Sequence, residues 1–154
     1  MVFELHLDTD TVQRAHPEQP LLVKPTDTLR HVLELLRESD HGSVLVQQDE
    51  KLVGIFTERD VLRLMANGSD IDVTMEEVMI RDVVTIHEDD NVKLAITKMS
   101  TGGYRRLPIV DGKQKPVGLL KVASILHYLV EHVPAAIYNL PPAPHHKPLE
   151  REGA

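Results

Sequence analysis

Apolar and polar positions along this chain switch between a period of two and a period near 3.6, and the whole alternation occurs twice. Phe3, Leu5 and Leu7 alternate with Glu4, His6 and Asp8, which predicts a short edge strand. Pro17 and Pro20 then interrupt regular structure, so residues 1–20 read as an N-terminal extension. Residues 21–24 predict a strand closed by Pro25. Leu29, Val32, Leu33 and Leu36 follow on one helical face, with Thr26 and Asp27 as candidate N-caps. A turn at 40–42, a buried strand at 43–46, a polar hairpin at 48–51 and a return strand at 52–56 complete the sheet. Thr57 ends that strand. A helix is predicted over 58–66, stopped by Asn67-Gly68.

The order then returns. Val53-Gly54-Ile55-Phe56 is echoed 64 residues later by Val117-Gly118-Leu119-Leu120, each running straight into an apolar-periodic helix. Between them, residues 69–78 read as an acidic linker. Residues 83–86 predict the opening strand of the second copy. Asp89 and Asp90 precede a helix with apolar residues at 92, 95, 96 and 99, the spacing seen in the first copy. Gly102-Gly103, strand 107–110, a hairpin at Asp111-Gly112, strand 117–120 and a helix from about 122 to 132 follow. A repeat at this period marks two copies of one supersecondary unit. The expected fold is mixed α/β: strand-helix-strand-strand-helix units at 21–68 and 79–133. One unit alone leaves an apolar sheet face uncovered, so the two are expected to pack about a pseudo-two-fold axis. Residues 134–154 read as a partly disordered tail, with four of the ten prolines and little apolar content from Pro141 onward. Ile137, Tyr138 and Leu140 are able to dock.

Composition narrows the function classes. Apolar residues make up 42% of the chain and aromatics only 3%, so the core must be aliphatic. A formal charge of −7 argues against the sequence-independent phosphate attraction of a nucleic-acid binder, though not against one anion in a local basic pocket. There is no cysteine, hence no disulfide or thiolate chemistry, and a cytoplasmic location is expected. No apolar run is long enough for a membrane span. His127 and His132 are five apart, off the i,i+4 spacing of one helix face, so no metal site is expected. No nucleophile-base motif or phosphate-cradling glycine loop occurs, so no enzyme is expected.

Gly54-Ile55-Phe56-Thr57-Glu58-Arg59-Asp60 closing the first unit, with Met79–Ile86 and Tyr104–Asp111 in the second, resembles a pair of CBS (cystathionine-β-synthase) domains standing alone. The resemblance covers residues 20–133. It implies a regulatory module that binds an adenine nucleotide (AMP, ADP or ATP) or S-adenosylmethionine between the repeats. It also implies a homodimer, and leaves room for a regulated protein partner.

In the first cleft the resemblance puts a ribose on Asp60 and a phosphate or ribose edge on Thr57. A carboxylate accepts from two ribose hydroxyls, and a helix start suits phosphate. The alternative is that both residues only cap the helix. Ile80, Arg81 and Val83 form the opposite wall, with Ile80 where the family often has Thr. His41 and Arg59 reach phosphates or stay in solvent. In the second, weaker cleft, Lys121 stands for the hydroxyl and Ser124 for the carboxylate, beside Arg105, Arg106 and Leu22. Three cations suit a polyphosphate, unless the arginines pair with surface acids. The competing function is a ligand-independent dimerisation or interaction scaffold with vestigial clefts.

Overall fold

Two three-stranded sheets organise the computed structural model, which describes residues 6–132. The first holds β1 (Leu22–Val23), β2 (Ser43–Gln48) and β3 (Lys51–Thr57); the second holds β4 (Ile86–His87), β5 (Arg106–Val110) and β6 (Pro116–Lys121). In each, the first strand runs parallel to the second and the second antiparallel to the third. Helix α1 (Leu29–Glu38) or α4 (Val92–Gly102) makes the parallel crossover, and α2 (Glu58–Ala66) or α5 (Val122–Glu131) leaves the third strand without a loop. This is the mixed α/β fold of two strand-helix-strand-strand-helix repeats.

Local chemistry shifts several boundaries. The helices are capped one residue later than expected: Thr28 accepts from His31 N at 3.2 Å, and Asn91 from Leu94 N at 2.9 Å. Asp27 and Asp90 reach backward instead, each accepting at 2.8 Å from the backbone N–H three residues earlier, of Lys24 and His87. Their side chains close the strand-to-helix turn and are not free to cap. The predicted strand at 83–86 survives only as Ile86–His87, because Val83 N donates to Arg81 O in a tight turn. Leu7 lies in a turn, not a strand. Residues 3 and 5, and the tail read as partly disordered, lie outside the described residues.

The two segments that read as extension and linker are built into the cores, each into that of the repeat it does not precede. Residues Val12–Ala15 form a 3-10 helix whose Val12 and Ala15 are buried with Ile86, Val92, Leu107 and Tyr128 of the second repeat. Helix α3 (Met75–Val78) buries Met75 with Val23, Leu29 and Phe56 of the first. The acidic residues that suggested a linker face outward; Glu76 and Glu77 sit in the first turn of α3, a stabilising place for negative charge. Isolated bridges pair Thr11 with Asn91 and, reciprocally, Thr28 with Thr74. Glu18 pairs with Leu119 and Ile80 with Ile55. The two repeats are thus related by an approximate two-fold axis. Leu45, Ile55 and Leu119, with Leu52 and Val83 against them, form the apolar seam between the sheets.

The repeated Val-Gly now has a cause. A Cβ on Gly54 would lie 2.4 Å from Met79 Sδ and 2.8 Å from its Cγ. On Gly118 a Cβ would meet Ile109 Cδ1 at 3.3 Å and Pro17 Cβ at 3.6 Å. In both repeats a segment entering the other repeat crosses the third strand beside its glycine. Gly54→Ala is expected to destabilise the protein by ~1–3 kcal/mol through overpacking, and by more than Gly118→Ala, in urea unfolding.

Tyr128 of α5 is fully buried, and its hydroxyl donates to Asp10 in the N-terminal segment. Burial, then the hydrogen bond to Asp10, pushes the phenol up to about 12. A raised folded-state value means that the contribution is complete below the unfolded phenol's pKa near 10 and fades as pH rises through 12. Unfolding followed against pH should show a loss of stability across about pH 10 to 12 that is absent in Tyr128→Phe. At neutral pH that variant should lose ~1.5–3 kcal/mol, the scale of a hydrogen bond to a charged group.

Candidate functional site

The bridge between Ile55 and Ile80 opens a cleft where the first repeat's third strand meets the second repeat's opening segment. Its volume is about 290 Å³. Ile55 and Thr57 form one wall, Ile80, Asp82, Val83 and Val84 another, and Tyr104, Arg105, Arg106 and Pro108 a third. The slot is mainly apolar, with Thr57, Asp82 and the three arginines Arg59, Arg105 and Arg106 as its polar lining. A second depression of about 580 Å³ adjoins it through the shared residues Arg59, Arg105 and Arg106. Glu58, Lys121, Val122, Ala123 and Leu126 complete this lining, so the depression lies over the first turns of α2 and α5.

Of the residues expected in the first cleft, Thr57, Arg59, Ile80 and Val83 are brought together. Asp60 is one step behind them. It is 5% exposed, at the third position of α2, and its Oδ2 accepts from Thr57 N at 2.9 Å and Thr57 Oγ1 at 3.1 Å. Its Oδ1 faces Arg63 Nη2 at 3.2 Å. Thr57 and Asp60 therefore form a capping box, the alternative weighed for them from the sequence. Arg81 turns away and donates through Nη2 to Glu76 O at 2.7 Å. His41 does not line the cleft. Its Nε2 donates to Gln19 O at 2.7 Å, because the turn before β2 faces the first repeat's own entry segment.

Arg105, Arg106 and Lys121 do meet at one mouth, as grouped from the sequence. However, Arg105 and Arg106 also line the Thr57 cleft, because the turn before β5 faces β3 of the other repeat. Ser124 is half-buried on α5 and Leu22 lies on β1, and neither lines these two depressions. At the symmetry-related position the protein's own groups pair: Lys121 Nζ lies 3.1 Å from Glu18 Oε1, and His41 holds Gln19. Tyr104, Pro108 and Val84 were missed as lining residues. Pseudo-symmetry was the signal available, since Tyr104-Arg105-Arg106 leads into β5 as His41-Gly42-Ser43 leads into β2.

Charge is concentrated at the junction of the two depressions. Among the described residues Arg59, Arg105 and Arg106 form no ion pair, and Arg106 Nε is buried without a hydrogen-bond partner. A buried, unpaired guanidinium nitrogen is costly and is satisfied by an anionic acceptor. The arrangement can therefore take a molecule with a flat apolar end and an anionic end. No further catalytic domain stands beside the two repeats among the described residues. No helix among them is long and apolar enough to cross a membrane.

A family model for the CBS domain matches residues 15–67 and 75–131. An uncharacterized 17.7 kDa protein of Acidianus ambivalens is 32% identical over 111 residues, which span 71% of this chain and 67% of that protein. MK0525, an uncharacterized protein of Methanopyrus kandleri, is 38% identical over 112 residues, 69% of this chain but only 57% of its own length. Among solved structures, the CBS domain pair of protein MJ0100, in complex with 5′-methylthioadenosine and S-adenosyl-L-methionine, is similar with a TM-score of 0.70 and 26% identity. That similarity covers 77% of this chain and 98% of the solved one. With both repeats matched in sequence and the whole pair matched in architecture, this chain belongs to the CBS domain family.

Proposed function

We propose that this protein is a regulatory module that binds an adenine nucleotide or a related adenosyl ligand between its repeats. The observation that carries this reading is the continuity of the apolar slot with the arginine-lined depression, where Arg106 Nε is buried and unpaired. Ile55, Ile80, Val83 and Tyr104 suit the faces of a purine. Phosphates then extend toward Arg59, Arg105 and Arg106, over the N-terminus of α2. Asp60 reaches a ribose by exchanging its bond from Thr57 Oγ1 for one from a ribose hydroxyl, while it keeps the bond from Thr57 N that caps the helix. The adenosyl ligands bound to the CBS pair of MJ0100 support this ligand class.

Occupancy is transmitted because the slot has one wall from each repeat, so a ligand that prefers one packing of the repeats shifts the population toward it. The same reading includes a homodimer, through which a regulated protein partner would sense the change. Leu62 and Met65 on α2 and Leu126 on α5 are exposed large apolar residues, with Leu62 70% exposed. A second copy covering them would remove that surface from water.

Thermal unfolding against AMP, ADP, ATP, 5′-methylthioadenosine and S-adenosylmethionine tests the ligand. A ligand at 100 times its Kd stabilises by about 2.7 kcal/mol, which moves the midpoint by several degrees. Ile80→Asp should abolish the shift for every ligand. Arg106→Ala should weaken the phosphorylated ligands by at least tenfold and leave 5′-methylthioadenosine almost unchanged. Asp60→Asn, which keeps the shape of the cap, should weaken all of them. No shift with any ligand, on protein freed of co-purified nucleotide, would turn the assignment to the scaffold.

The dimer is checked by light scattering on the eluting protein. The native chain should run at twice the chain mass and Leu62→Asp at the chain mass.

A further inference from the structure

Outside the cleft, the fold brings together three side chains that are far apart in sequence. His16 follows the buried 3-10 helix of the N-terminal segment, and its φ of 53° places it in the left-handed region. His127 and Glu131 lie one turn apart on α5, on the same face. His16 Nε2 is 2.7 Å from Glu131 Oε2, across 115 residues of sequence, and His127 Nε2 is 3.1 Å from Glu131 Oε1. The two imidazole rings meet edge to face with centroids 5.4 Å apart. One ligand atom from each residue lies within 4.8 Å of the others.

We infer that His16, His127 and Glu131 form a binding site for a zinc-class divalent transition-metal ion that clips the N-terminal segment to the last helix. Two imidazoles and a carboxylate are a donor set suited to zinc, copper or nickel, and not to magnesium, which takes oxygen ligands. With metal–donor bonds of ~2.0–2.2 Å, neighbouring donors of a tetrahedral ion sit roughly 3.3 Å apart. The three donor atoms lie within 4.8 Å of one another, so side-chain shifts of about 1.5 Å or less bring them to that spacing. The carboxylate is flanked on both oxygens by imidazole nitrogens, and an ion bound there takes the place of any proton on those two nitrogens. All three side chains are exposed, so the remaining coordination positions are open to water. His132 is the neighbouring histidine, but its Nδ1 donates to Tyr128 O at 2.8 Å and its Nε2 faces Asp10, not the cluster.

The spacing of His127 and His132, on which a metal site was not expected, is beside the point. The partner of His127 within its helix is Glu131, and the third ligand comes from a segment that docks only when the chain folds. The site is independent of the nucleotide cleft, so the two stand or fall separately.

The test uses the full-length chain with His145→Ala and His146→Ala, so that the tail histidines cannot bind. Zinc chloride, and magnesium chloride as control, are titrated calorimetrically and in thermal unfolding. The expected result is one zinc per chain, a raised unfolding midpoint and no response to magnesium. Glu131→Gln preserves the side-chain shape, and His16→Asn preserves a residue tolerant of the left-handed backbone. Each should weaken zinc by at least tenfold and cancel the rise in midpoint. The absence of zinc binding in the parent chain would overturn the site, as would an affinity unmoved by both substitutions.

Discussion

The whole molecule depends on one reciprocal crossing. Each repeat's third strand is crossed by the segment that enters the other repeat, with Ile80 bridged to Ile55 and Glu18 to Leu119. Gly54 leaves room for the Met79 side chain beside one crossing, and Gly118 packs against Ile109 and Pro17 beside the other. The entering segments then bury Met75 and Met79 in the first core and Val12 and Ala15 in the second. Each core is therefore completed by residues that precede the other repeat, and neither repeat, cut at the boundaries its own pattern suggests, would have a closed core.

The crossing also makes the cleft. Because the entry of the second repeat lies beside β3, the slot has Ile55 and Thr57 on one side and Ile80 and Val83 on the other. The turn before β5 then swings Arg105 and Arg106 to the same place. Symmetry would produce a second cleft of the same kind, but the side chains differ. Lys121 replaces the hydroxyl and is neutralised by Glu18, and His41 ties down Gln19. One scaffold thus carries a basic cleft at one position and internally paired polar groups at the symmetry-related one.

Helix capping and ligand recognition draw on the same groups here. Thr57 and Asp60 satisfy the start of α2 in the free protein, and the chemistry that suits them to that task, hydroxyl donor and carboxylate acceptor, also suits a ribose. The arginines around them have no such internal duty: Arg59, Arg105 and Arg106 carry positive charge that no acid of the described residues pairs within an ion-pair distance. In a chain of net charge −7 the local excess of cations is a property of the site and not of the composition.

The sequence by itself determined the repeat, the order of strands and helices within it, and the apolar faces at 29, 32, 33, 36 and 92, 95, 96, 99. These are written in local periodicity, and local periodicity is what burial on one face demands. It also marked Thr57, Ile80, Val83 and the arginines, because strand-to-helix turns and charge are visible residue by residue. What it could not carry was partnership between distant segments. Whether residues 12–15 and 75–78 were connectors or core depended on what they met, and their own polar flanks pointed the wrong way. The cap positions turned on which way Asp27 and Asp90 reached, a choice made by the parallel strand behind them. The sharing of Arg105 and Arg106 between two depressions, the withdrawal of His41 from the cleft, and the meeting of His16 with His127 and Glu131 followed from the crossed packing of the repeats. Those contacts join residues many turns of chain apart, and only the tertiary structure decides which distant surfaces are pressed together.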